Sequence, residues 1–204
     1  MTNPLPAALH GRSLAVVDVE GNGQQPPDIV EIAVLTVDGP GDRADFKTWL
    51  VKPPRPILPI VKRIHGISND DVANCSPWSA IGEEVSAVLA DRTLVAHSAS
   101  VEYKVIGAHL PQWKPPMVLD TMKLAKHVWP KLESYKLTEL VAHAQIDTSG
   151  FDEQQPHRAG YDTWCAWLLL CKLLSEQNLS WDELVNVACL KGFEPPTQPE
   201  GGLW

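Results

Sequence analysis

The sequence predicts a single α/β domain with a mixed sheet, and three observations carry that reading. Strand-like segments crowd the first fifty residues, helical spacing alternates with short strands after residue 76, and 204 residues suit one core, which seldom grows beyond about 250 residues undivided.

Residues 13–20, SLAVVDVE, carry aliphatic side chains on both faces, the pattern of a strand covered on two sides. A loop over 21–27 ends it. Residues 28–37 read as a second strand and 45–51 as a third, stopped by Pro53 and Pro54, so a meander is expected. After the proline-rich stretch 53–59, Ser76 and Pro77 announce a helix near 79–89. Residues 93–97 and 117–119 read as short strands, and 101–109, 121–128 and 136–144 as helices. His157 or Arg158 opens the longest helix, running to about residue 174 with apolar positions on nearly every face, and 181–190 adds one more. No internal repeat is present. Residues 1–192 are therefore expected to form one domain, and the prolines and glycines of 193–204 to leave a loose tail.

A net charge of −8, from 17 basic and 25 acidic residues, argues against a protein that coats nucleic acid by bulk electrostatics. It suits an enzyme with a metal-dependent site equally well, because carboxylates hold divalent cations that in turn meet phosphate. Composition of 44% hydrophobic and 21% charged residues excludes a disordered or fibrous chain. No apolar run nears the ~20 residues of a membrane helix and residues 1–12 lack the order of a secretory signal, so a cytoplasmic protein is expected. Four cysteines without a CxxC pair suggest buried thiols rather than a disulfide framework.

Asp18 and Glu20 lie two apart on the first strand and share a face of an otherwise aliphatic segment. Chance supplies roughly 0.8 Asp-x-Glu pairs in a chain of this composition, so context must give the pair weight. Two carboxylates ending a buried strand repel each other unless a cation or hydrogen bonds neutralise them, and a solvated strand end is the plain alternative. His157 and Asp162 sit at the start of the longest helix, where an aspartate also simply suits the helix dipole. Glu102 follows the strand at 93–97, where Ser98 or Ser100 can cap a helix and Glu102 can be an ordinary first-turn glutamate. Each segment alone is ambiguous.

In this order and spacing, VVDVEGNG with IVEIAVL, VAHSASVEYKVI, and HRAGYDTWCAWLLL resemble the three motifs of the DnaQ-like, DEDDh family of 3′-to-5′ exonucleases, which has a ribonuclease H-like fold. The stretches KPPRPILPIVKRIHGISNDDVANCSPW and LDTMKLAKHVWPKLESYKLTEL resemble its exodeoxyribonuclease X branch and proofreading-subunit relatives. The resemblance implies that Asp18, Glu20, Glu102 and Asp162 hold two Mg²⁺ or Mn²⁺ ions, with Asp18 shared by both. His157 would be the general base, since an unperturbed imidazole titrates near ~6.5 and can accept a proton at neutral pH. Substrate contacts would come from Val19, Gly21, Asn22, Gln24, His65, His97 and Ser98. The expected substrate is a single-stranded or frayed DNA 3′ end, the product a 5′-mononucleotide, and a homodimer is conceivable because several relatives dimerise.

The second motif departs from the family by carrying Glu102 after Val101 where Asp follows an aromatic residue. The added methylene extends the reach by ~1.5 Å. Ser98 replaces an Asn, and Gly21-Asn22-Gly23-Gln24 replaces a threonine pair and an apolar residue. Two alternatives follow: a 3′-to-5′ exoribonuclease, or a nucleic-acid-binding module weakened in catalysis by Glu102. Lysines between residues 120 and 136 could guide a phosphate backbone or only solvate a helix face. Trp164 and Trp167, on the longest helix, are expected in the core.

Overall fold

The computed structural model describes residues 5–38, 43–151 and 155–194. Within them five strands, β1 (Leu14–Gly21), β2 (Ile29–Asp38), β3 (Arg43–Leu50), β4 (Thr93–Ala96) and β5 (Val118–Asp120), form one sheet of order β3-β2-β1-β4-β5. The first three pair antiparallel as the expected meander, whereas β4 joins β1 and β5 joins β4 in parallel. Among the described residues seven α-helices flank the sheet: α1 (Pro59–His65), α2 (Trp78–Leu89), α3 (Ser100–His109), α4 (Thr121–Val128), α5 (Leu137–His143), α6 (Ala159–Gln177) and α7 (Trp181–Ala188). This is the mixed, helix-flanked sheet of the ribonuclease H-like fold.

Strand β1 lies at the centre and divides the core. Leu14 and Val16 face a cluster completed by Leu124 of α4, Leu140 of α5, Leu169 and Leu173 of α6 and Leu184 of α7. Ala15 and Val17 face the other way, toward Ile81, Val85 and Leu89 of α2 and Ile106 of α3. Each fully buried aliphatic side chain contributes about 1.5–3 kcal/mol, so a strand covered on both faces must be apolar throughout. The alternation carries Asp18 and Glu20 onto the α6 face, opposite Ala33 and Glu31 of β2, where β1 runs out of that aliphatic cover.

Helix α1 is absent from the sequence reading, which saw only a proline-rich connection there. Its seven residues begin with Pro59 in the first turn, and although Ile60 and Ile64 are spaced as one helix face they point to solvent rather than into the core. Strand β3 begins two residues earlier than expected because pairing with β2 persists to Asp38 and Arg43. Trp164 and Trp167 pack partly buried against the larger cluster. At the C-terminal end Phe193 meets Tyr103 edge-on at 5.0 Å, and its N–H donates to the Leu190 carbonyl. Packing contacts are described as far as Phe193, while residues 195–204, including Leu203 and Trp204, lie outside the described residues. No helix among the described residues is long and apolar enough to cross a membrane.

Candidate active site

Three element ends bring the expected carboxylates together. Asp18 and Glu20 come from the last turn of β1's pleat, Glu102 from the first turn of α3, and Asp162 from the first turn of α6. First-turn amides of a helix lack intrahelical partners and carry partial positive charge, so both helix starts favour an acidic side chain. Glu102 is 6% exposed and Asp162 9%, while Asp18 and Glu20 are half-buried. A ligand atom of Glu20, one of His157 and one of Asp162 all lie within 4.8 Å of one another.

Crowded carboxylates in little water resist ionisation. Burial, then Glu102, Glu20, Asp162 and Glu31, hold Asp18 well above the usual carboxylate range. Glu20 is pushed up to about 8 by burial and then by Asp162 and Glu31, with Arg158 opposing. Burial also takes Glu102 to about 8, with Asp120 adding repulsion. Asp162 reaches about 6, again chiefly through burial, against which His157 pulls downward. Among the described residues, Glu102 Oε2 and Asp162 Oδ1 are buried without a hydrogen-bond partner. Orphaned buried carboxylate oxygens are costly. All-oxygen, acceptor-only donors that converge in this way fit a hard divalent cation, which would remove both the repulsion and the orphaning.

His157 stands on the exposed side of this group, in a left-handed backbone conformation with φ of 63°. Its N–H donates to Asp162 Oδ2 at 3.3 Å. The next residue holds something the sequence reading missed. Arg158 donates from Nε to both oxygens of Glu31, at 3.2 and 3.0 Å, and from Nη2 at 2.6 Å, while the Ala159 N–H meets Glu31 Oε2 at 2.8 Å. Glu31 is 1% exposed. A single acid inside the unbroken aliphatic run IVEIAVL was the available signal, since a buried charge implies a partner.

The expected substrate contacts divide. Val19 and Gly21 are half-buried at the end of β1, beside the carboxylates, where the register with β2 shifts after Glu20. Asn22 is 0% exposed. Its Oδ1 accepts from the Gln24 and Asp28 amides and its Nδ2 donates to Asp28 and the Arg55 carbonyl. Both side-chain polar atoms of Asn22 are thus engaged within the loop. Gln24 stays near the surface, its Nε2 donating to the Pro56 carbonyl at 3.2 Å. Gly23 of the same loop has φ of 81°, and an added Cβ would come within 3.1 Å of Val61 in α1.

The two histidines differ in how their rings are engaged, and His65 Nε2 is buried with no hydrogen-bond partner among the described residues. His65 is 1% exposed and accepts the Ile67 N–H on Nδ1 at 3.0 Å, with burial lowering its pKa. His97 bonds Thr121 Oγ1 through Nδ1 at 2.9 Å and the Tyr135 carbonyl through Nε2 at 2.8 Å, so both ring nitrogens tie β4 to the segments around α4 and α5. Ser98 is half-buried at φ of 69°, with its N–H on Asp120 Oδ1. Of the lysines between 120 and 136, Lys123 is bound to the Cys189 carbonyl and Lys126 lies 5.6 Å from the Tyr135 ring centre.

Known proteins resemble this chain in sequence and fold. The 3′-5′ exonuclease DinG of Bacillus subtilis (strain 168) is 31% identical over 178 residues, which cover 82% of this chain and 18% of that protein. The chain therefore spans under a fifth of that relative. Exodeoxyribonuclease 10 of Escherichia coli (strain K12) is 29% identical over 174 residues, covering 85% of this chain and 74% of the relative. Exonuclease X, solved in complex with 5′ overhanging duplex DNA, superposes with a TM-score of 0.70 at 28% identity over 85% of this chain and 98% of that one. The family model described as Exonuclease (RNase_T) matches residues 15–169, a span that holds all four carboxylates and His157, and the chain belongs to that exonuclease family.

Proposed function

We propose that this chain is a metal-dependent 3′-to-5′ exonuclease that removes 5′-mononucleotides from DNA ends. The carrying observation is the pair of buried, partnerless oxygens, Glu102 Oε2 and Asp162 Oδ1, placed with Asp18 and Glu20 at the end of β1 beside His157. Asp18, Glu20, Glu102 and Asp162 would hold two Mg²⁺ or Mn²⁺ ions. When bound, such ions lower the pKa of water and neutralise charge building on the scissile phosphate. His157 accepts the proton of the attacking water on a ring nitrogen, and its exposed side chain is open to an arriving strand. Asp162 Oδ2 holds the His157 amide and so couples the base to the acidic cluster. Water adds to phosphorus, the bond to the penultimate nucleotide's 3′ oxygen breaks, and that oxygen leaves as a hydroxyl once protonated.

Similarity to exodeoxyribonuclease 10 and to exonuclease X, solved with duplex DNA, supports a deoxyribonucleotide polymer. Mass spectrometry of the products from a DNA oligonucleotide and its RNA counterpart in Mg²⁺ tests the reading. It expects 5′-mononucleotides from DNA, none in EDTA, and none with His157→Ala on the same time scale. Faster release from RNA would assign the polymer otherwise, and binding without release would mean that Glu102 has disabled the site.

A further inference from the structure

We propose that Glu31 and Arg158 are positioning residues, a clamp that fixes His157 and the start of α6 against the catalytic strand; the inference rests on the nuclease reading of the same site. Glu31 lies directly across from Glu20 in the β1–β2 register, on the sheet face that carries Asp18. It is buried, and an isolated carboxylate there would be costly, yet each of its oxygens receives directed donors. The guanidinium approaches through both Nε and Nη2, a two-point grip that fixes direction as well as distance.

Helix α6 lacks a side-chain cap from its own N-cap residue, Arg158. The Ala159 amide is instead met by Glu31, 128 positions earlier in the chain. His157 precedes this anchored step in a left-handed conformation that residues other than glycine keep only where neighbours impose it. On its other side the His157 amide is held by Asp162. The peptide stretch 157–159 is thus pinned from β2 through Arg158 and Ala159 and from α6 through Asp162. Without the β2 anchor, His157 can relax toward an ordinary backbone angle and its imidazole leaves the 4.8 Å cluster with Glu20 and Asp162. A buried pair that only secures the helix start would affect stability and leave the base alone, so the two roles separate experimentally.

The test uses the full chain with Arg158→Lys, which keeps the charge and loses the fork, and Glu31→Gln, which keeps an acceptor for Ala159. Each is made with His157 present and in the His157→Ala background, and turnover, KM, Mn²⁺ affinity and thermal melting are measured. A clamp acting through His157 lowers kcat by roughly 10- to 100-fold with His157 present. It leaves KM and Mn²⁺ affinity within about threefold, and it changes the residual rate of His157→Ala by less than about twofold. Equal losses in both backgrounds, or losses that follow Mn²⁺ affinity, would overturn it. The NMR signal of the ¹³C-labelled His157 ring supplies a readout free of turnover and should move in both folded variants. A wild type that does not cleave sinks the nuclease reading, and an unmoved His157 signal sinks the clamp.

Discussion

Asp18 serves two opposed demands, because the charge that would bind a cation is the one its neighbours repel. With its ionised form disfavoured by burial and by Glu102, Glu20, Asp162 and Glu31, Asp18→Asn should raise the melting temperature in EDTA and cut hydrolysis by ~10³-fold or more. Thermal melts beside a nuclease assay check both, and a lower melting temperature in EDTA would contradict the repulsion. Ser98 sits at φ of 69°, a conformation Asn tolerates better, so Ser98→Asn should stabilise by about 0.5–1 kcal/mol in a denaturant titration. Residue types were readable at the site, since acids at a strand end and in two first helical turns require nothing beyond local pattern. Side-chain direction was not. Asn22, His65 and His97 read as substrate contacts because they flank the motifs; the loop and the α4–α5 segments engage the polar side-chain atoms of Asn22 and His97, while His65 has only Nδ1 bonded among the described residues. Glu31 needed a partner 127 positions away, which no local pattern shows.

Elements that begin with strong local signals were found, and those made by tertiary contacts were not. Helix α7 opens with a reciprocal box in which Ser180 and Glu183 bond each other's backbone, so Ser180→Ala should cost about 1 kcal/mol by denaturant unfolding without touching catalysis. Asp120 has a wider reach. It caps α4 through the Met122 and Lys123 amides and also accepts the Ser98 N–H two residues before α3. Asp120→Ala should therefore cost about 1–2 kcal/mol and also slow turnover, by loosening the strand end from which α3 presents Glu102. Helix α1 escaped the sequence reading because it is only seven residues long and opens at Pro59, the end of a proline-rich stretch, while Val61 of this helix lies beside the first-motif loop at Gly23.

For the whole molecule, the acidic cluster ties stability to pH and to cations. Glu20 and Glu102 move from an ordinary 4.5 to about 8 on folding, so the folded chain holds protons that the unfolded chain has released. Their contribution is full below about pH 4.5 and is lost as pH rises through about 8. A cation that binds only the folded, ionised site reverses that loss. The gain in melting temperature on adding Mg²⁺ or Mn²⁺ in place of EDTA should consequently grow between pH 5 and pH 8, and a gain independent of pH would contradict it. The meander and the mixed sheet were legible because strand runs and alternating units each leave a periodic trace, whereas the strand order was not read. The enclosure that perturbs these acids is a property of β1, α3 and α6 meeting, and appears only in three dimensions.

The most direct measurement of the central claim is a time course on DNA labelled at its 3′ or 5′ end, single- and double-stranded, in Mg²⁺, Mn²⁺ or EDTA. Wild type, Asp18→Ala and Glu102→Asp are compared. Metal-dependent shortening from the 3′ end, absent in Asp18→Ala, is the predicted result. Undiminished shortening by Asp18→Ala would contradict the assigned site, and cleavage that appears only in Glu102→Asp would contradict an active native enzyme.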